Sequence, residues 1–422
     1  MILIKNARVI DPKTNRDDVL DIVIDKGIIV DMGKYQRNED YEQIIEAAGF
    51  VVAPGLVDVN THIAPANFKN RKKLLKQLNA AAKGGYTSVV VMPNVKPALN
   101  SVEELDYFYD VAEEADIHIY AAAGITTGVK DKELSDMGNL KEHGAVAFSN
   151  DGKYIEDGRI LMEAMLRAKE LDVPLSLHEE SLDLTETRGL KAGAVADKLG
   201  LKGTPNVAED ILVAKDCMLA ISTGAPVHFQ HISSPNSVKL IQMVKEQGAD
   251  VTAEVSPYHF SLMDEDVLKY GTLAKITPPL QDKRSRFDLI NGIKQNVIDM
   301  IASAETPVPM NKKEVDFEKA DTGLVSLEIE LALSITGLIR RGQVTLINLI
   351  EKLSYNPARR FHLNAGYIEK GAPADMVIFN EQEPWVPEKL KCGYENCPYI
   401  GETLYGKVKY TICGGKIVYC DI

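Results

Sequence analysis

The sequence predicts an α/β fold: a (β/α)8 TIM-type barrel with a small β-sandwich domain made from both chain termini. Three observations carry this. Eight short apolar runs recur through the middle of the chain, separated by longer stretches of helical period. The two ends are instead rich in β-branched residues and turn pairs. The length, 422 residues, exceeds one small core and suits a large barrel plus a smaller domain. The expected division is 1–52 with 366–422 as a composite β domain, and 53–365 as the barrel.

Taken in order, 2–10 and 21–31 read as strands, with Lys26-Gly27 as the turn in the second. The stretch 51–62 opens as an apolar run and ends in polar residues. That is how a buried parallel strand looks when it delivers side chains to a barrel mouth. Residues two apart on a strand share a face, so Asp58, Asn60 and His62 are expected to point the same way. The other seven runs are 87–91, 117–122, 145–148, 173–178, 225–231, 250–255 and 297–302. Between them, Leu161, Met165 and Ala168, and again Leu240, Ile241 and Val244, repeat at helical spacing. Strand character returns at 374–380 and 408–419, where Gly414-Gly415 makes a hairpin turn.

Composition narrows the function classes. Hydrophobic residues make up 45% and charged residues 26%, ordinary for a globular enzyme-sized chain. A net charge of -13 argues against a nucleic-acid or anionic-membrane surface. The cluster Arg71-Lys72-Lys73 is short and reads as a solvated helix face. Met1 to Lys5 reads as a strand and not as a signal peptide, and no apolar run reaches the ~18 residues of a membrane span, so a cytoplasmic protein is expected. Cys392 and Cys397 have a spacing compatible with zinc but no nearby histidine. The plainer reading of the five cysteines is free thiols in a reducing compartment.

Side chains at the C-terminal ends of barrel strands meet around one site. Four candidates occupy such ends: His62, Asp151, His178 and His231. Any one of these histidines alone is more often a hydrogen bonder than a ligand. Three imidazoles and a carboxylate converging from different strands make a zinc site, which would activate water or polarise a carbonyl. His118, His143, His228, His259 and His362 lack that placement and read as structural or surface residues. His228 and His231, three apart, are expected on opposite faces.

Several motifs then resemble one family. Pro54-Gly55-Leu56-Val57-Asp58-Val59-Asn60-Thr61-His62 resembles the amidohydrolase opening P-G-x-x-D-x-H-x-H. The segment from Gly84-Gly85-Tyr86-Thr87-Ser88 to Met92-Pro93-Asn94 is similar to the dihydroorotase pattern G-G-[FY]-T-[ST]…M-P-N. Gly144 to Gly152 is similar to its G-A-V-A-F-S-D-D-G. His178-Glu179-Glu180, Gln230-His231-Ile232-Ser233, Glu254-Val255-Ser256-Pro257, Tyr355-Asn356-Pro357-Ala358 and Gly371 to Met376 follow in family order. The resemblance is to class I dihydroorotases of the amidohydrolase superfamily and spans nearly the whole chain. It implies a barrel with a paired-zinc centre that interconverts N-carbamoyl-L-aspartate and dihydroorotate in pyrimidine biosynthesis. It also implies Asp151 as bridging carboxylate, His178 and His231 completing one metal site, His62 belonging to the other, and Asn94 binding substrate.

The chain departs from that pattern at several positions. Asn60 stands where the first histidine is expected, and Ala304 where the general-base aspartate is expected. Ala64 and Gln281 replace arginines, Thr277 an asparagine and Val308 a histidine. Losing a general base costs about 10²–10⁴-fold, roughly 3–5.5 kcal/mol of barrier. Losing the arginine fork removes a bidentate anchor for a dianion. Glu305 is the candidate substitute base, although one step along a strand turns a side chain away unless a loop redirects it. Lys153 is a candidate replacement cation, with a solvated loop lysine as the plainer reading.

The expectation is a cyclic-amide hydrolase with one zinc ion, a small-molecule substrate, impaired or altered activity and a possible homodimer. The alternative is a non-catalytic homologue acting as a structural or regulatory partner, for example of aspartate transcarbamoylase. A third reading has the retained trio filling polar barrel space without metal.

Overall fold

The computed structural model describes residues 1–34, 41–64, 68–130 and 132–421. Eight parallel strands follow one another in chain order: Leu56–Thr61, Tyr86–Val91, His118–Gly124, Ala145–Ser149, Leu175–Leu177, Val227–Phe229, Val251–Val255 and Met300–Ile301. Each falls on one of the eight apolar runs. The last strand returns to the first: Thr61 bridges Glu305 in parallel, and the His62 N–H donates to the Glu305 carbonyl at 2.8 Å. The sheet is therefore a nearly closed barrel.

The strands are short and almost wholly buried because both of their faces are covered. Outward residues such as Val89, Val91, Phe148 and Val227 share one core with the helix residues Leu105, Phe108, Leu161 and Met165. The interior holds Val57, Val59, Val90, Met92, Ala122 and Ala147, and is stoppered by Ala358 and Phe361. The helix Gly158–Leu171 is representative of the outer ring. Asp157 caps it by accepting from the Arg159 and Ile160 N–H groups. Leu161, Ala164, Met165 and Ala168 form its buried stripe, and Asp172 ends it in the left-handed region at φ 51°.

Two features of the opening stretch differ from expectation. The run 51–62 is two strands. Val51–Pro54 pairs with Met376–Trp385 in the terminal sheet, and only Leu56–Thr61 enters the barrel. The hinge is Gly55. A Cβ there would lie 2.0 Å from Thr87 Oγ1, so only glycine lets the chain pass the second barrel strand so closely. The alternation within the barrel strand is also broken. Asp58 pairs with Val89 but Thr61 pairs with Val91, so three steps on one strand match two on the other. Within this shift Asp58 finds its own partners. It accepts from the Ser303 N–H at 2.7 Å, the Ser303 hydroxyl at 2.8 Å and the Thr61 hydroxyl.

Both chain ends meet in one sheet. Ile2–Asp11, Arg16–Asp25, Ile28–Gly33 and Val51–Pro54 lie beside Met376–Trp385, Leu404–Cys413 and Lys416–Cys420. The turns are those expected: Lys26 and Gly27 at φ 47° and 84°, and Gly414 and Gly415 at φ 54° and 74°. All five cysteines are free thiols. Among the described residues no helix is long and apolar enough to cross a membrane.

Lys352 ties the last helical stretch to the base of the barrel. It is 1% exposed, and its ammonium donates to Asn296 Oδ1 at 2.9 Å and to the Ile298 carbonyl at 2.8 Å. Burial pulls its pKa down to about 8 from an ordinary 10.5. The unfolded chain then binds more protons than the folded one between those values, so stability rises with pH across that window and is lower beneath it. Urea unfolding at pH 7.5 and 9.5 should show this rise in the wild type, and Lys352→Met should flatten it.

Candidate active site

Three of the expected residues converge at the C-terminal rim of the barrel. Asp151 follows the fourth strand, His178 the fifth and His231 the sixth. One potential ligand atom from each lies within 4.8 Å of the others. His178 Nδ1 is 3.0 Å from His231 Nε2. His62 joins from the first strand, its Nε2 2.5 Å from Asp151 Oδ2. His231 holds a left-handed backbone at φ 29°, a conformation that non-glycine residues adopt uncommonly.

The electrostatics follow from burial and from the neighbours. Burial alone would raise the Asp151 carboxyl, but His62 above all, then His178 and His231, outweigh it and hold it at about 2. Burial pulls His62 down, and the charge and hydrogen bond of Asp151 more than reverse that. His231 is pushed well below the ordinary range by burial and by His178 beside it.

The donor set suits a cation. His62 Nδ1 donates to the Glu305 carbonyl at 3.0 Å, which points Nε2 at the Asp151 carboxylate. His178 Nε2 lies 3.4 Å from Glu180 Oε2, which turns its Nδ1 toward His231 Nε2. Electron-rich atoms so close repel unless a proton or a metal ion stands among them. Two imidazoles and a carboxylate, each ring backed by an outer hydrogen bond or a like neighbour, are borderline ligands of the zinc type.

The remaining candidates are placed differently. Asn60 is fully buried, and its Nδ2 donates to Glu254 Oε1 at 2.6 Å. Asn94 Nδ2 donates to Asp151 Oδ2 at 2.6 Å, at the edge of the cavity. Ala304 lines that cavity with φ 47°. Glu305 does not line it: its Oε2 accepts from the Ser326 and Leu327 N–H groups at 2.7 and 2.9 Å. Burial pushes the Glu305 carboxyl up to about 8. Lys153 is exposed and donates to the Val129 carbonyl. Gln281 is buried and donates to Ser233 Oγ and the Pro279 carbonyl.

The cavity over the cluster measures about 150 Å³, room for a small molecule. Three residues on or behind its wall escaped the sequence reading. Arg188 lines it from the strand Thr187–Lys191 and is held by Glu180, with Nη2 2.5 Å from Oε2. His259, read as structural or surface, also lines it, with Nδ1 2.8 Å from Ser256 Oγ and Nε2 donating to the Pro278 carbonyl at 3.0 Å. Glu254 lies beneath as a hub: besides Asn60 it accepts from His228 Nε2 at 3.0 Å and from the His231 N–H at 3.2 Å. Its position near the end of the seventh strand was the one available signal. Arg188 comes from outside the eightfold pattern and carried none.

Comparisons with known proteins place the chain in a family. A family model described as Dihydro-orotase-like matches residues 49–237. The dihydroorotase of Clostridioides difficile (strain 630) is 47% identical over 419 residues, covering 99% of this chain and 100% of that protein. The chain belongs to the dihydroorotase family. A second family member, the dihydroorotase of Clostridium acetobutylicum, is 42% identical and covers 100% of both chains. Among solved structures, the L-hydantoinase (dihydropyrimidinase) from Arthrobacter aurescens superposes with a TM-score of 0.87 over 100% of this chain and 97% of that one. At 19% identity that likeness speaks for the shared barrel fold alone.

Glu254 gives this family member a measurable dependence. Glu254→Ala strands the Asn60 amide, the His228 ring and the His231 N–H in the dry interior. Chemical denaturation should show a loss of about 3–5 kcal/mol, the usual cost of breaking a buried charged network, while Glu254→Gln keeps an acceptor and should lose less.

Proposed function

We propose that this chain is a cyclic-amide hydrolase of the dihydroorotase kind, acting at a single metal position, with weakened turnover of dihydroorotate. The observation that carries the reading is the buried convergence of Asp151, His178 and His231 at the mouth of the barrel, open to a small-molecule cavity. The names of the full-length relatives support the reaction class.

A zinc ion held by that trio would supply Lewis acidity toward an amide carbonyl. The protein's own groups would do the rest. The Asn94 amide, at the cavity edge, is the group to orient a substrate carbonyl or N–H. His62, fixed through the Glu305 carbonyl, holds Asp151 ionised beside it. The weakness lies opposite. Ala304 brings a methyl group to the cavity where a carboxylate would take up the proton of an attacking water. Among the described residues, the guanidinium that lines the cavity is that of Arg188, and it is already engaged by Glu180. A dianionic substrate therefore meets little free positive charge, which favours a cyclic amide carrying fewer carboxylates.

The second reading, a non-catalytic family member serving as a structural or regulatory partner, draws on the same Ala304 methyl and on Glu305 being tied to backbone amides. Dihydroorotate ring opening, followed with and without added zinc, separates the two. The hydrolase reading expects slow, zinc-dependent turnover below the usual ~1–10³ s⁻¹. Ala304→Asp should raise it by about 10²-fold, the lower end of a general base's worth. Turnover absent from both proteins under zinc leaves the non-catalytic reading standing. A wild-type rate within the usual range that Ala304→Asp does not change rejects both the proposed weakness and its cause.

A further inference from the structure

A second cluster of ligand-type side chains lies at the opposite end of the barrel. His118 opens the third barrel strand, Asp375 immediately precedes the sheet strand Met376–Trp385, and Cys413 ends the strand Leu404–Cys413. One nitrogen, one oxygen and one sulfur from these residues lie within 4.8 Å of one another. Asp375 and Cys413 are 4% and 5% exposed, whereas the His118 side chain is 42% exposed and forms the mouth.

The geometry around the three is that of a prepared site. The Gly414 N–H donates to Asp375 Oδ1 at 2.6 Å and fixes the carboxylate, leaving Oδ2 toward His118 Nε2 at 3.0 Å. Cys413 Sγ faces the Thr87 carbonyl at 3.6 Å. Thiolate, imidazole and carboxylate together select a thiophilic divalent ion over calcium or magnesium, which prefer all-oxygen shells. We propose that His118, Asp375 and Cys413 bind a zinc-type divalent cation that clamps the terminal sheet to the base of the barrel, with its fourth position open to water beside the exposed imidazole. Binding exchanges the His118–Asp375 ion pair for metal contacts. It releases the thiol proton of Cys413 and the Nε2 proton of His118 to solvent. The clamp is independent of the Asp151 cluster, which contains no sulfur.

That difference supplies the test. Cobalt(II) titrated into the reduced full-length protein should give a near-ultraviolet sulfur-to-cobalt charge-transfer band, and zinc should abolish it by competition. The band should persist in His178→Ala, which damages only the sulfur-free cluster. It should disappear in Cys413→Ser and need about tenfold or more cobalt in His118→Ala, whose site lies at the surface. Zinc should raise the melting temperature of His178→Ala but not of the double variant carrying Cys413→Ser as well. No band in the wild type overturns the proposal. So does a band that survives Cys413→Ser, which would trace it to another of the free cysteines, or one that His118→Ala leaves unchanged.

Discussion

The structure depends on how the barrel closes between its first and last strands. Asp58 is fully buried and accepts from the backbone and hydroxyl of Ser303, while the His62 N–H and the His62 ring both bond the Glu305 carbonyl. Burial pushes the Asp58 carboxyl up to about 6, and its hydrogen bonds from Thr61 and Ser303 work against that rise. A buried carboxylate surrounded by donors tolerates little displacement. The seam therefore sets where His62 stands, and with it the direction from which Asp151 is approached. It also sets the turn at Ala304. Its φ of 47° suits an asparagine or aspartate better than an alanine.

Beneath the rim, Glu254 and Asn60 form the second constraint. A buried carboxylate needs donors, and Glu254 has three: the Asn60 amide, the His228 ring and the His231 N–H. The asparagine is thus anchored from below by a hydrogen bond. Its remaining oxygen, Oδ1, has no hydrogen-bond partner and is a weak, neutral donor to a metal. The same carboxylate steadies the backbone of His231 through its N–H. One residue therefore braces both His231 and Asn60.

Much of this was legible in the sequence because buried parallel strands announce themselves as short apolar runs. All eight did so, and a polar residue at or just beyond the end of a run marked Asp151, His178 and His231 as neighbours in space. The shift between Asp58 and Thr61 was not legible, since it is a property of pairing with Val89 and Val91 and not of either strand alone. The strand break at Gly55 hid inside an unbroken apolar run, and only the proximity of Thr87 gives the glycine its meaning. Arg188 was invisible for a related reason. It reaches the cavity from a two-stranded excursion, Thr187–Lys191 with Gly203–Thr204, that has no place in the barrel's period.

The departures around the cavity also balance in charge. Against the pattern the family motifs imply, the chain lacks arginines at Ala64 and Gln281 and an acid at Ala304. The carboxylates of Asp151 and Glu180 each have partners within the protein. Asp151 is matched by the imidazoles around it, and Glu180 by Arg188 and His178. The cavity is consequently stable as it stands but exerts little pull on an anion. Any carboxylate that enters must draw Arg188 away from Glu180, and Glu180, held at about 2 by His178 and Arg188 against its own burial, gives up that partner only at the cost of a buried, less compensated charge.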